Sequence, residues 1–221
     1  MKNSGTYSRK IREFYRSSKI KGQEPEKVTY DEPVDALVYA VISEDITQGQ
    51  AHSTMHRLKE HFVDSNDLRV SRTDEIADVI GGDAQAAMNT ASAIVRVLTA
   101  VFIKYNVVSL NALKKMGKRP AKQFLEKMDG ITRFAVDYCM LTSLQGHAIP
   151  LTKKMVEYLK NNKMVYPSSD EQEIEGFLAR QISAESAYEF YALLRLQSES
   201  GKTETKGKKK ASRKTKDKTE S

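Results

Sequence analysis

Apolar positions along most of this chain recur at spacings of three and four, the period of a helix with one buried face. PVDALVYAVISEDI opens with Pro33, suited to a first helical position, and repeats Ala36, Leu37, Ala40 and Val41. HSTMHRLKEHF carries Met55, Leu58 and Phe62 on one face. TDEIADVIGG offers Thr73 as an N-cap and Gly81 as a stop. AQAAMNTASAIVRVLTAVFIKYN is long, alanine-rich and strongly helical. Shorter segments follow around VSLNALKKM, AKQFLEKM and TRFAVDYCMLTSL, then LTKKMVEYLKNN. In SSDEQEIEGFLARQI, Ser169 with Gln172 reads as a capping box, and SAYEFYALLRL closes the series. Only the VV of YNVVSL hints at a strand. The expectation is an all-α fold of about nine to eleven helices.

The two ends break this pattern. GKTETKGKKKASRKTKDKTES has no large apolar residue, so residues 201–221 are expected to be a disordered, Lys-rich tail. Residues 1–27 are expected to be a basic, partly ordered arm in which Ile11, Phe14 and Tyr15 share one face of a short helix. The core is then residues 28–200. Of the net charge of +7, residues 1–27 hold eight Lys/Arg and three Asp/Glu, and residues 201–221 hold nine and three. That leaves −4 for residues 28–200. A mildly acidic core with two basic arms attracts polyanions without reading their sequence.

Several classes of function are disfavoured. AIVRVLTAVFI, the longest apolar candidate, is interrupted by Arg96, so no membrane span is expected. The N-terminus lacks the apolar segment of a secretory signal. A single cysteine, Cys139, leaves no disulfide framework and no all-cysteine iron–sulfur site, which fits a reduced cytoplasmic setting (the nucleoid, in a bacterium). Cys139 falls on an apolar helix face and reads as core. His52, His56 and Glu60 share a face at i, i+4, i+8, a spacing open to zinc but more often a solvated surface. No metal or other cofactor is expected.

The stretch FLEKMDGITRFAVDYCM carries the most chemistry. Leu125 and Met128 end one helix, Asp129-Gly130 turns, Ile131 plugs the turn, and Thr132 caps a second helix. The second helix buries Ala135, Val136, Cys139 and Met140. Such a hairpin aims the N–H groups of Gly130, Ile131, Thr132 and Arg133 at one spot, suited to a phosphate, with the Arg133 guanidinium beside it. A plain helical corner uses the same residues.

Three segments together resemble the endonuclease III superfamily of helix–hairpin–helix DNA glycosylases. The hairpin resembles L-x-x-L-P-G-V-G-x-x-T-A at Leu125, Met128, Gly130, Ile131 and Ala135. VYAVISEDIT resembles a family helix end at Ile42, Ser43 and Thr47, and GHAIPLTKKMVEYL resembles a later segment at Gly146, Ile149 and Thr152. The resemblance implies a two-lobed all-α fold that holds DNA in its cleft, with Lys153 and Lys154 near the phosphate backbone. It also implies departures. The lysine that forms a Schiff base in bifunctional members falls at Phe134, and the aspartate of active members falls at Leu151. The second hairpin glycine is Thr132, and the base-replacing glutamine falls at about Asp45. The expectation is therefore a DNA-binding protein of this fold without glycosylase or lyase chemistry. The alternatives are a divergent glycosylase using a relocated site of Asp129, Asp137 and Glu157 with Lys153 or Lys154, and a protein- or RNA-interaction module.

Overall fold

The computed structural model describes residues 4–20 and 25–200. Among these residues it holds eleven α-helices, one 3-10 helix and no strand. The expected tail, residues 201–221, and part of the expected arm lie outside the described residues.

The first lobe contains α2 (Pro33–Ser43), α3 (Gln48–His61), α4 (Ser65–Val70), α5 (Thr73–Ile80) and α6 (Ala84–Tyr105). The 3-10 helix Asn111–Lys115 leads into α7 (Lys118–Glu126) and α8 (Arg133–Thr142). The second lobe contains α9 (Lys153–Asn161), α10 (Glu171–Gln181) and α11 (Ala187–Glu199), with α1 (Ser4–Ile20) docked on it. Helix α8 packs against both α2 and α11, so it belongs to the seam between the lobes.

Local sequence explains the boundaries, with several changes from expectation. Pro33 does sit at the start of α2, where its missing N–H costs nothing. The N-cap of α5 is Arg72 rather than Thr73, and α10 is capped by Asp170, whose carboxylate accepts from the Glu173 N–H at 2.8 Å. The Ser169–Gln172 box is therefore displaced by one residue, because a carboxylate is an equally good acceptor at a helix start. A capping box does occur at Thr47 and Gln50 of α3. The VV of YNVVSL forms a bend after Asn106, which closes α6 in the left-handed conformation.

Two further elements go beyond the sequence reading. Helix α6 is long and apolar enough, by length and composition, to cross a membrane. Here it packs against α2, α4 and α5, burying Ala87, Ala91, Ile94, Val97, Leu98 and Val101. The expected arm contributes a core helix: Ile11 and Phe14 are buried, and Phe14 meets the rings of Tyr158 and Phe190 edge-on. The Tyr15 hydroxyl and the Lys19 ammonium both reach Glu189 of α11.

The seam is filled by aromatic rings. Tyr138 of α8 stacks on Tyr39 of α2 and on Phe134, and meets Tyr191 of α11 at an edge. Arg195, 1% exposed, donates to the carbonyls of Ser43 and Ile46 at the end of α2 and to the Tyr191 hydroxyl. Its ion-pair partner Glu199 accepts from the Gln48 N–H at the start of α3. A cation thus meets a helix C-terminus and an anion meets a helix N-terminus, each at the favourable end of a dipole. This buried pair fixes the α2–α3 connection that carries Glu44 and Asp45.

Candidate nucleic-acid interface

The α7–α8 hairpin forms as its residues dictate. Gly130 takes φ 75°, a left-handed conformation that glycine adopts without strain. Its missing side chain also makes room: a Cβ there would lie 2.7 Å from Cδ of Arg96, which reaches across from α6. Ile131 is half-buried against the core. Thr132 caps α8 by accepting the Ala135 N–H at 3.2 Å. The N–H groups of Arg133 and Phe134, at the first two positions of α8, have no acceptor within their own helix.

Acids surround this helix start. The Thr132 hydroxyl donates to Glu44 Oε2 at 2.7 Å, and burial raises the Glu44 carboxyl. Arg133 pairs with Glu175 of α10 at 3.2 Å. Burial, then the nearby Asp137, pushes the Glu175 carboxyl up to about 7, against the pull of Arg133. Its Oε1 is buried and has no hydrogen-bond partner. Asp137, 2% exposed, is held by Lys122 of α7 at 2.6 Å. Glu126, Ile131, Thr132, Arg133, Val136, Asp137 and Gln172 line a cavity of about 400 Å³ beside the hairpin.

The residues singled out from the sequence are thus only partly brought together. Gly130, Ile131, Thr132 and Arg133 form one corner, but Thr132 and Arg133 are each tied to a carboxylate. Lys153 pairs with Asp45 at 3.6 Å, so the acid at the expected wedge position is matched by a cation, and both side chains are exposed. Lys154 is exposed on the first turn of α9. The proposed grouping of Asp137 with Lys153 or Lys154 does not occur, since Asp137 is salt-bridged to Lys122.

Phe134 and Leu151 are each 1% exposed. Phe134 packs between Tyr138 and the Arg195 guanidinium, 5.7 Å from its ring centroid. These positions belong to the core, not to the wall of an open cleft. Their identity therefore says what this core is built from, not what an open cleft has lost.

Sequence reasoning missed Arg96, Lys122, Glu44 and Glu175. Lys122 and Asp137 are 15 residues apart, and Arg133 and Glu175 are 42 apart, so no local pattern joins them. The histidine face does not gather a site. His56 pairs with Glu60 of its own helix, while His52 packs on Tyr39 and is lowered by burial. No cluster of metal-ligating side chains occurs among the described residues. Cys139 is buried, its thiol against the Pro33 carbonyl.

No protein-family model matches the chain. No curated protein sequence matches it either. Solved structures do match in fold. A non-covalent endonuclease III–DNA complex superposes with a TM-score of 0.68 at 17% identity, covering 89% of this chain and 86% of the other. The H. pylori 3-methyladenine DNA glycosylase bound to 1,N6-ethenoadenine gives 0.66 at 12% identity, covering 89% and 99%. The Clostridium acetobutylicum 8-oxoguanine glycosylase/lyase with double-stranded DNA gives 0.67 at 15% identity, covering 90% and 71%. The chain has the all-α fold of endonuclease III and related DNA glycosylases.

Proposed function

We propose that this protein binds duplex DNA through its phosphate backbone and does not cleave glycosidic bonds. The observation that carries the reading is the α7–α8 hairpin. It has a left-handed glycine and a threonine-capped helix start whose first amides lack acceptors within the helix, set in a fold whose solved examples include DNA complexes. Amides at a helix start bind phosphate through their N–H groups and the positive dipole end. The absence of base-excision chemistry is supported at the positions that resemble the family's catalytic lysine and aspartate. Phe134 and Leu151 carry no nucleophile, acid or base, and the reading rests on that side-chain chemistry rather than on their position in the core. A four-cysteine cluster has no donors in a chain with one cysteine.

One observation favours the second reading, a divergent glycosylase. Glu44 and Glu175 flank the hairpin with carboxyls raised by burial, as acids recruited for catalysis often are. A single experiment separates the two. The full chain is incubated in excess over duplexes containing uracil, 3-methyladenine, ethenoadenine, 8-oxoguanine or an abasic site. Binding with no base release and no strand scission is the expected result. Release that is lost in E44Q or E175Q establishes the divergent enzyme instead.

A further inference from the structure

The cations chosen from the sequence at the hairpin are neutralised, yet the same lobe carries a block of positive charge in another place. Residues 111–127, NALKKMGKRPAKQFLEK, hold six Lys/Arg and one Glu. The remainder of residues 28–200 holds thirteen Lys/Arg and twenty-two Asp/Glu. The block spans the 3-10 helix and α7, the first helix of the hairpin. Two of its cations are engaged: Lys114 donates to the Asp31 carbonyl and Lys122 to Asp137. Lys115, Lys118, Arg119 and Lys127 are exposed and have no carboxylate partner among the described residues.

The placement of these charges works against the helix that carries them. Lys118 and Arg119 occupy the first turn of α7, where the dipole is already positive. Its N-cap, Gly117, supplies no side-chain acceptor, and the first turn has no acid. At the opposite end, Arg96 lies over Gly130 and forms no ion pair with a carboxylate among the described residues. The glycine is what admits it, since a Cβ would fall 2.7–3.0 Å from Cδ, Cγ and Nε of that side chain. The hairpin thus presents Arg96, where the sequence suggested Arg133.

We propose that a basic ridge, running from Arg96 at the hairpin back along α7 to Lys115, is the surface that holds the DNA phosphate backbone, and that Arg133 is not part of it. This inference rests on the DNA-binding reading above and names the residues that would carry it. The nine residues of α7 rise about 13 Å, and B-DNA presents one charge per roughly 1.7 Å of axis, so the ridge faces several phosphates. The ridge is exposed and dominated by charged side chains, and the cavity of about 350 Å³ beside it, over Met140 and Gly146, is rimmed by Lys118, Arg119 and Lys122, which suits a phosphate backbone. Lys118 contacts phosphate as a point charge, Arg96 and Arg119 as planar donor forks, and none of them reads a base.

The test uses the full chain and a labelled random-sequence duplex, with affinity followed from 50 to 200 mM salt. Each lost phosphate contact lowers the log–log salt slope by about 0.9, a change of about threefold in the affinity lost over that range. The expected result is a slope lower by about 0.9 in R96Q and by about 1.8 in K118Q/R119Q. R133Q and the control K59Q/R72Q keep the wild-type slope. Thermal melts check that the exposed substitutions leave the fold intact. Wild-type binding with unchanged slopes in R96Q and K118Q/R119Q overturns the ridge and leaves the DNA-binding reading standing. Equal losses in K59Q/R72Q also overturn it, because the effect is then general charge. Tight binding to single-stranded RNA but not to the duplex, lost in the same variants, overturns the choice of partner. A wild-type chain that binds no duplex at all overturns both readings together.

Discussion

Replacing Phe134 by lysine tests whether the position that resembles a catalytic lysine is a site or a piece of core. Phe134 is buried between Tyr138 and Arg195, with Tyr39 and Tyr191 in the same aromatic layer. Truncating a buried phenylalanine costs about 3–5 kcal/mol, and the lysine stem recovers only part of that packing. An ammonium there lies about 6 Å from the buried Arg195 guanidinium, and two like charges at that distance repel by about 3 kcal/mol at an effective dielectric of 20. The amine escapes this only by losing its proton or by forcing the seam apart. The expected cost of F134K is about 3–5 kcal/mol, a fall in Tm of about 6–20 °C for a chain of this length. Calorimetry measures the loss, and borohydride trapping with an abasic duplex reads any Schiff base. No covalent complex is expected, alone or combined with L151D. A variant within 1 kcal/mol of wild type that traps DNA refutes the argument, because the position then faces an accessible cleft.

Glu175 sets a pH dependence. Its folded carboxyl, at about 7, lies above its unfolded value of 4.5, so the folded state holds a proton more tightly between those values. The contribution is present below pH 4.5 and is lost as pH rises through about 7. Solvent and Arg133 screen the group, so about 1–2 kcal/mol is expected; E175Q should flatten the pH profile of Tm, and a wild-type profile in the variant refutes the assignment. G130A places a Cβ against Arg96 at a left-handed φ, so it should lose about 1–2 kcal/mol and reduce the salt slope of DNA binding together with R96Q. The Cys139 thiol is pushed up to about 12 by burial and then by Glu32, so a thiol-reactive chromophore should label the native chain negligibly at pH 8 and completely in denaturant.

The helices that form the seam were legible because their faces repeat cleanly. Ala36, Leu37 and Ala40 of α2 and Ala135, Val136 and Cys139 of α8 are all buried as the spacing implies. The hairpin was legible through Gly130 and Thr132, each of which has one structural task that few other residues perform. Caps were less so: Asp170 displaced Ser169 because neighbouring side chains offer equivalent acceptors. Helix α1 shows its apolar face in sequence, but its docking depends on Phe190 and Tyr158, which are far along the chain. The electrostatics were the least legible. Arg133 looks free in sequence and becomes paired only when α10 brings Glu175 to it. The basic block at 111–127 was visible in the sequence, but summing charge over the whole acidic core concealed it.

The central claim is that this fold holds duplex DNA by its backbone. It is tested most directly by fluorescence anisotropy of the full chain against two labelled duplexes, one intact and one with a stable abasic analogue, at moderate salt. Saturable, salt-sensitive binding to both is expected, tighter for the abasic duplex, whose backbone bends more easily around the hairpin. No binding to either duplex at moderate salt contradicts it, and would mean that an endonuclease III-like fold serves a different partner here.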